Sequence, residues 1–187
     1  MKNRHTINLA YIVSTLGRSG PTNQLFHLVA RLNRNVFTPR IITLSKEPPT
    51  SRIEDFRGLN IPVETLNIGR VGTLLFGLSR LKRQLRQHSV ELVHSQGLRA
   101  DFLNSLLRLP ATRIATQRND PFFDYPMLYG RLIGSVMAHT HISIFRNVPT
   151  VITCSYSIES ANRTRRLKAT TIQNGIDSTK SYIASQD

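Results

Sequence analysis

Apolar positions along the chain alternate between short unbroken runs and stripes with helical spacing. Unbroken Ile, Val and Leu runs are typical of strands buried on both faces, whereas apolar residues at i, i+3, i+4 and i+7 are typical of helices packed on a sheet. The alternation predicts an α/β fold, a Rossmann-like, doubly wound and mostly parallel sheet. The predicted strands are Ile7–Val13, Pro39–Leu44, Pro62–Leu66, Val90–His94, Thr112–Thr116, Thr150–Cys154 and Thr170–Ile172.

Helices are predicted between these strands. One stripe consists of Leu25, Leu28, Val29 and Leu32, and Pro21 suits the first turn of that helix. A second stripe predicts a helix whose buried side is formed by Val71, Leu74, Leu75, Leu78, Leu81 and Leu85. Less regular patterns predict helices over Arg99–Arg108, Phe122–Phe145 and Ser157–Leu167. Two adjacent prolines predict a loop over Ser45–Ser51.

Composition excludes several classes of protein. The 187 residues suit one domain or slightly more, and 40% apolar residues exclude a disordered basic tail. Cys154 is the only cysteine, which excludes a disulfide scaffold, and we expect it to be a small buried residue. His139 and His141 lie two residues apart with no acidic or cysteine cluster, so no metal site is predicted.

The turn after the first predicted strand contains two glycines, Gly17 and Gly20, around Arg18 and Ser19. Glycines allow the backbone to approach a ligand closely, and the free N–H groups of a helix start attract anions such as phosphate. The turn matches neither G-x-G-x-x-G nor a Walker loop. On its own it is equally well explained as a tight turn that needs glycine for its geometry.

Three segments together resemble glycosyltransferase family 4, particularly its bacterial surface-polysaccharide members. Residues 16–25 (LGRSGPTNQL) resemble the family's glycine loop, and residues 93–101 (VHSQGLRAD) resemble its V-H-x-H-G-x-x-A-D segment. Residues 171–177 (TIQNGID) resemble the I-x-N-G-[VI]-D signature that closes its amino-terminal domain. The three occur in the family's order and spacing and cover nearly the whole chain.

The resemblance implies a GT-B architecture, in which two Rossmann-like domains face each other across a cleft. Residues 1–177 would be the amino-terminal, acceptor-side domain, and residues 178–187 the start of an interdomain linker or a tail. The family's nucleotide-sugar site and its acidic E-x7-E element belong to the second domain. The implied reaction is a hexosyl transfer with retention of configuration. We therefore expect the 187 residues alone to be inactive and to hold no cofactor, since the nucleotide-sugar donor would bind the other domain.

Carried onto this chain, the resemblance and the strand-end positions give candidate site residues. The predicted cleft residues are Gly17, Arg18, Ser19, Gly20, His94, Gln96, Arg118, Asn119 and Asp120, and the predicted hinge residues are Asn174, Gly175 and Asp177. His94 and Arg118 are candidates for catalysis. Gln96 stands where the family often has a second histidine, and Thr22 replaces a frequent glutamate. Two alternatives stay open: residues 119–121 as an ordinary turn with a helix cap, and His94 as a structural histidine.

The formal charge of +14 points to an anionic partner. Arg80, Arg83 and Arg86 lie opposite the second apolar stripe on a helical wheel, with Phe76 among them, which predicts a membrane-facing surface. A merely solvated face is the alternative. We expect a cytoplasmic protein that is peripheral on the inner face of the membrane, with a sugar or lipid-linked acceptor and the second GT-B domain as partners. Rival hypotheses are a non-catalytic acceptor- or partner-binding module from a split or truncated gene and, least favoured, a basic nucleic-acid-binding protein.

Overall fold

A single seven-stranded sheet organises the computed structural model, which describes residues 5–175. Its strands are all parallel and follow the order β3-β2-β1-β4-β5-β6-β7, so the α/β Rossmann-like prediction is confirmed. The strands are β1 Ile7–Val13, β2 Phe37–Thr43, β3 Val63–Thr65, β4 Leu92–Gln96, β5 Thr112–Gln117, β6 Thr150–Thr153 and β7 Thr170–Thr171. Successive strands are added to one side of β1 up to β3 and to its other side from β4 onward, so the carboxyl ends of β1 and β4 lie at the topological switch point.

At least one helix connects every pair of consecutive strands. They are α1 Gly20–Ala30, α2 Ile53–Gly58, α3 Arg70–Gly72, a π-helical turn Thr73–Gly77, α4 Leu78–Gln87, α5 Leu98–Leu106, α6 Pro121–Tyr129, α7 Arg131–Arg146 and α8 Tyr156–Thr164. The helix α2 was not predicted, and the helix predicted over Phe122–Phe145 is two helices. Gly130, with φ +79°, separates them, because a left-handed backbone conformation ends one helix before the next begins.

The core consists of apolar layers on both faces of the sheet. On one face, Leu25 and Val29 of α1 and Phe56 of α2 pack against Tyr11 and its neighbours in β1. On the other face, Leu81 of α4 and Leu103 of α5 pack against Ile12. Ile142 and Phe145 of α7 extend this second layer over β5 and β6. The helical stretch 70–87, α5 and α7 therefore lie side by side on the same face.

The second predicted apolar stripe is only half correct. Leu81 and Leu85 are fully buried, whereas Val71, Leu74 and Leu75 are exposed, Leu74 by 70%. The wider π-helical turn at Thr73–Gly77 shifts the helix phase, so that Thr73 and Gly77 face the core instead. Side chains packed at Gly77 explain the choice of glycine, since an added Cβ would lie 3.1 Å from the Leu103 side chain.

Residues 5–175 contain no helix that is long and apolar enough to span a bilayer.

Candidate functional site

The glycine turn after β1 is held by hydrogen bonds to the loop that precedes α2. The Leu16 N–H donates to the Glu47 carboxylate at 2.9 Å, and the Arg52 N–H donates to the Leu16 carbonyl oxygen at 2.9 Å. Ser19 caps α1, and the Thr22 hydroxyl donates to the Gly17 carbonyl oxygen at 2.7 Å. Thr22 therefore closes the turn from inside. The predicted loop over Ser45–Ser51 supplies Glu47, a contact that the sequence pattern did not indicate.

Arg118 joins two of the segments that resemble the family, at the carboxyl edge of the sheet. Its guanidinium donates to the side-chain oxygen of Gln96 through Nε at 3.3 Å and Nη2 at 3.1 Å, and to that of Asn174 through Nη1 at 3.1 Å. Burial lowers the pKa of Arg118, and the nearby Cys154, whose Sγ donates to the Arg118 carbonyl oxygen, acts in the opposite direction. Arginine stays cationic at neutral pH even so, and brings a positive charge to this edge.

Gln96 has a polar group without a protein partner. Its side chain is 7% exposed, its oxygen accepts from Arg118, and its Nε2 amide has no hydrogen-bond partner among the described residues. A buried amide donor left without an acceptor is unfavourable, so a ligand oxygen that accepted this hydrogen bond would be recognised specifically.

His94 lies below the site, inside the sheet face that carries α1. Its Nε2 is 2.6 Å from the Thr116 hydroxyl, and its ring centroid is 5.2 Å from that of Tyr11. Burial, with a contribution from the Arg118 charge, lowers the pKa of His94 to about 4. His94 is therefore neutral at physiological pH and holds Thr116 in place, which agrees with the structural alternative for this residue.

Asp120 acts as a helix cap. Its carboxylate accepts from the Phe122 N–H at 3.0 Å and pairs with Arg165 at 2.8 Å, and the Arg165 guanidinium stacks over the Phe122 ring. These contacts agree with the alternative in which residues 119–121 form a turn with a helix cap, because the Asp120 carboxylate is engaged by the Phe122 N–H and by Arg165. Asn119, one residue earlier, stays at the surface of the site.

A buried polar chain that the sequence did not predict lies on the other side of the site. The fully buried Asp101 carboxylate accepts from Ser95 Oγ at 2.6 Å and lies 3.0 Å from His141 Nε2. The Tyr125 hydroxyl is 2.7 Å from His141 Nδ1, and burial, with the Asp101 charge, raises the pKa of Tyr125. Three residues of α5, α6 and α7 are thus connected. Asp101 is the last residue of the VHSQGLRAD segment, the one sequence signal that singled it out.

A cavity of about 570 Å³ opens between these groups at the carboxyl ends of β1, β4 and β5. Its lining comes from the turn after β1, from the Gln96 and Arg118 pair, and from Asp101, Tyr125 and His141. Of the predicted cleft residues, Ser19, Gln96, Arg118 and Asn119 line it. Gly17, Arg18, Gly20, His94 and Asp120 are not among the described residues that do so.

Comparison with known proteins decides the family. Residues 18–180 match Glycosyltransferase Family 4. The chain belongs to this family. No curated protein matches it.

Solved structures with the same fold include HepE of Anabaena in complex with UDP and glucose, with a TM-score of 0.66, 14% identity and 91% of this chain covered. Sucrose-phosphate synthase of Thermosynechococcus elongatus has a TM-score of 0.66, 14% identity and 89% coverage. A glycosyltransferase of Rickettsia africae has a TM-score of 0.64, 12% identity and 92% coverage. This family 4 chain spans 45%, 47% and 44% of the length of these three proteins, respectively.

The remaining predicted residues of this family 4 chain lie outside the cavity. Asn174 and Gly175 are exposed, Asn174 accepts a hydrogen bond from Arg118, and Asp177 lies outside the described residues. Phe76, Arg80, Arg83 and Arg86 are all exposed along the helical stretch 70–87.

Cys154 is half-buried, whereas the sequence predicted a buried residue. Within residues 5–175, no group of three His, Cys, Asp or Glu side chains is arranged to hold a metal ion, and His141 is engaged by Asp101 and Tyr125.

Proposed function

We propose that the chain is the acceptor-binding half of a retaining, nucleotide-sugar-dependent hexosyltransferase that acts in bacterial cell-surface polysaccharide or glycolipid synthesis. A second Rossmann-like half, with the donor site, would complete the cleft. The observation that carries the proposal is the cavity at the switch point of a family 4 fold, where Gln96 presents an unpartnered buried amide beside the Arg118 guanidinium.

The reaction assigned to the complete cleft is a substitution at the anomeric carbon of the donor sugar. The acceptor hydroxyl oxygen forms a bond to that carbon on the face from which the diphosphate departs. The bond from the carbon to the diphosphate oxygen breaks, and the hydroxyl proton leaves with the nucleoside diphosphate. Negative charge grows on the diphosphate, so donors fixed in advance lower the barrier.

This chain would contribute positioning and charge to that step. The first turn of α1, whose cap Ser19 lines the cavity, has N–H groups without intrahelical acceptors, as is general for a helix start, and its positive dipole end would favour an anionic group there. Arg118 would hold an acceptor oxygen or phosphate together with the Gln96 amide. Because His94 is neutral and hydrogen-bonded to Thr116, its role in this proposal is to support the site, not to transfer a proton.

The proposed location is the cytoplasmic face of the membrane. Arg80, Arg83 and Arg86 are exposed on one helix, and Lys82 lies beside them. Basic residues near an anionic membrane surface contribute about 1 kcal/mol each to attraction. At the membrane surface, the chain would be close to a lipid-linked or lipid-exposed acceptor.

Ligand binding to the 187-residue chain tests the division of labour. We expect no measurable binding of UDP-glucose by calorimetry, and saturable binding of at least one member of a panel of alkyl glycosides and sugar 1-phosphates by saturation-transfer NMR. Arg118→Met should abolish that binding, whereas the matched control Arg57→Met, on exposed α2, should leave it unchanged. Micromolar binding of UDP-glucose to the chain would contradict the proposal.

A further inference from the structure

The helices α6 and α7 form a hairpin whose outer surface is apolar and exposed. Six of its large side chains are between 63% and 86% exposed: Phe123, Met127, Leu128, Leu132, Ile133 and Val136. Contiguous exposed apolar surface on a soluble domain marks a site of interaction with another protein or a membrane. The core does not require these residues, since the inner side of the hairpin is buried by Tyr125, Ala138 and Ile142.

The hairpin projects beyond the carboxyl edge of the sheet. α6 begins there, directly after β5, and α7 returns toward the opposite edge, where β6 begins. His141 in α7 contacts Asp101 in the first turn of α5, at the level of the edge. Arg131 precedes His141 by ten positions in α7, so at 1.5 Å per residue the tip lies about 15 Å from that level along the helix axis.

The hairpin is also tightly packed. Gly134 lies against the backbone of Pro126, where an added Cβ would be 2.3 Å from the proline nitrogen. The Tyr125 hydroxyl bonds to His141, and the Phe122 ring meets the His139 ring edge-on at 4.7 Å between centroids. The apolar surface is thus carried on a fixed support beside the cavity, which Tyr125 and His141 line.

A second exposed apolar group lies on the same face and near the same edge. The π-helical turn, which follows β3 by way of a short loop and α3, exposes Leu74, Leu75 and Phe76. Arg99 of α5 donates to Thr73 of this turn at 2.6 Å, and Asp101 of α5 contacts α7, so α5 lies between the two apolar groups. Both groups therefore lie on the same face of the sheet, on either side of α5.

The charges around these groups favour a lipid surface over a protein core. The sequence has no Asp or Glu between Asp124 and Glu159, and Arg131 is exposed at the hairpin tip. On the other side, the exposed Arg80, Arg83 and Arg86 follow Phe76 along one helix. Apolar side chains flanked by arginines are the pattern of elements that insert into an anionic interface.

We propose that the tip of the α6–α7 hairpin inserts into the acyl boundary of an anionic phospholipid bilayer, as a second attachment point beside the helical stretch 70–87. This inference extends the proposed membrane location and places the mouth of the cavity against the lipid surface. A single contact through α4 would allow the domain to rotate on the membrane, whereas two contacts on either side of α5 fix its orientation.

The absence of tryptophan from the sequence allows a sharp test. Leu132→Trp places one fluorophore at the tip, where the side chain is 86% exposed, and Leu28→Trp places a control on α1, on the opposite face of the sheet. Both chains are mixed with phosphatidylglycerol–phosphatidylcholine vesicles, with and without brominated acyl chains, and binding is measured by sedimentation. We expect a blue shift and bromine quenching for Leu132→Trp only.

A loss-of-function pair completes the experiment. Leu132→Gln with Ile133→Gln should leave the circular dichroism unchanged and weaken vesicle binding about tenfold, because each removes a large apolar side chain from the lipid. If the Leu132→Trp chain sediments with vesicles but its tryptophan fluorescence shows neither a blue shift nor bromine quenching, the hairpin inference is overturned and the proposed membrane contact of α4 stands. If the chain does not sediment, both membrane proposals fail and the acceptor-binding proposal stands on its own test. A blue shift without vesicles that grows with protein concentration would indicate self-association and would also overturn the inference.

Discussion

Arg118, directly after β5, is hydrogen-bonded to Gln96, the last residue of the neighbouring strand β4, with the arginine Nη2 3.1 Å from the glutamine side-chain oxygen. The same guanidinium reaches Asn174, 56 residues further along the chain. One side chain thus contacts both the cavity and the segment that follows β7.

Replacing Arg118 with lysine should loosen that segment. A lysine keeps the charge but lacks the fork that contacts two acceptors at once. We expect a loss of about 1 kcal/mol in the free energy of unfolding and faster amide exchange over residues 172–175. Hydrogen exchange measured by mass spectrometry checks this, with Arg57→Lys as the matched control. Unchanged exchange at residues 172–175 would mean that Arg118 does not hold Asn174 in solution.

The Asp101 and His141 contact should dominate the stability of the α5–α7 interface. Asp101→Asn removes the buried carboxylate that accepts from Ser95 and contacts His141, and losing a hydrogen bond to a charged group typically costs about 1.5–3 kcal/mol. The control, Asp55→Asn, removes an exposed pair with Arg52 and should change the free energy by less than about 1 kcal/mol. Urea denaturation gives both values. Equal effects of the two substitutions would contradict a structural role for the buried pair.

His94 should make stability depend on pH in the acidic range. Its pKa is about 4 in the folded chain, against an ordinary value of 6.5 when unfolded, so between these values the unfolded state binds more protons. The free energy of unfolding therefore rises by at most about 3 kcal/mol as the pH increases from about 4 to 6.5, and the same amount is lost when the pH is lowered through this range. His94→Gln should flatten this part of the profile, as measured by thermal unfolding across the range. An identical slope in wild type and variant would show that His94 titrates normally.

Gly134→Ala should separate the two helices of the hairpin. The new methyl group would lie 2.3 Å from the Pro126 nitrogen, and since that atom is backbone, the helices must move apart. We expect a loss of about 1–3 kcal/mol, typical of overpacking. Gly58→Ala is the matched control, because a Cβ there meets nothing within 4 Å. Calorimetry of both variants measures the difference. A stable Gly134→Ala chain would show that the hairpin packing is looser than described.

Much of the fold follows from local patterns, and its exceptions have physical reasons. The bounds of β1 were predicted correctly because an apolar run over Leu9–Val13, preceded by Ile7, crosses the sheet centre. β4 was predicted two residues early, as Val90–His94, because its last residues, Ser95 and Gln96, are polar yet buried. α2 was missed because Phe56 is the one buried residue in six, which leaves no periodicity to detect.

The candidate site was predicted less completely than the fold. Strand ends and family motifs located Ser19, Gln96, Arg118 and Asn119, which do line the cavity. They did not reveal Tyr125 or the structural role of His141, because the contact between His141 and Asp101 joins residues 40 positions apart. A pairing at that distance leaves no periodic trace in the sequence. The break at Gly130 was hidden for a related reason, since apolar residues continue through it on the exposed side.

Strand order has a kinetic consequence. β1 and β4 are neighbours in the sheet, with Tyr11 opposite His94, although more than 80 residues separate them along the chain. Closing so long a loop before its contacts form slows folding. During synthesis, residues of β1 must wait unpaired on one edge until β4 has emerged from the ribosome. The nascent chain is therefore exposed to misassociation until β4 is available, which makes delayed strand capture the expected vulnerable step in producing this protein.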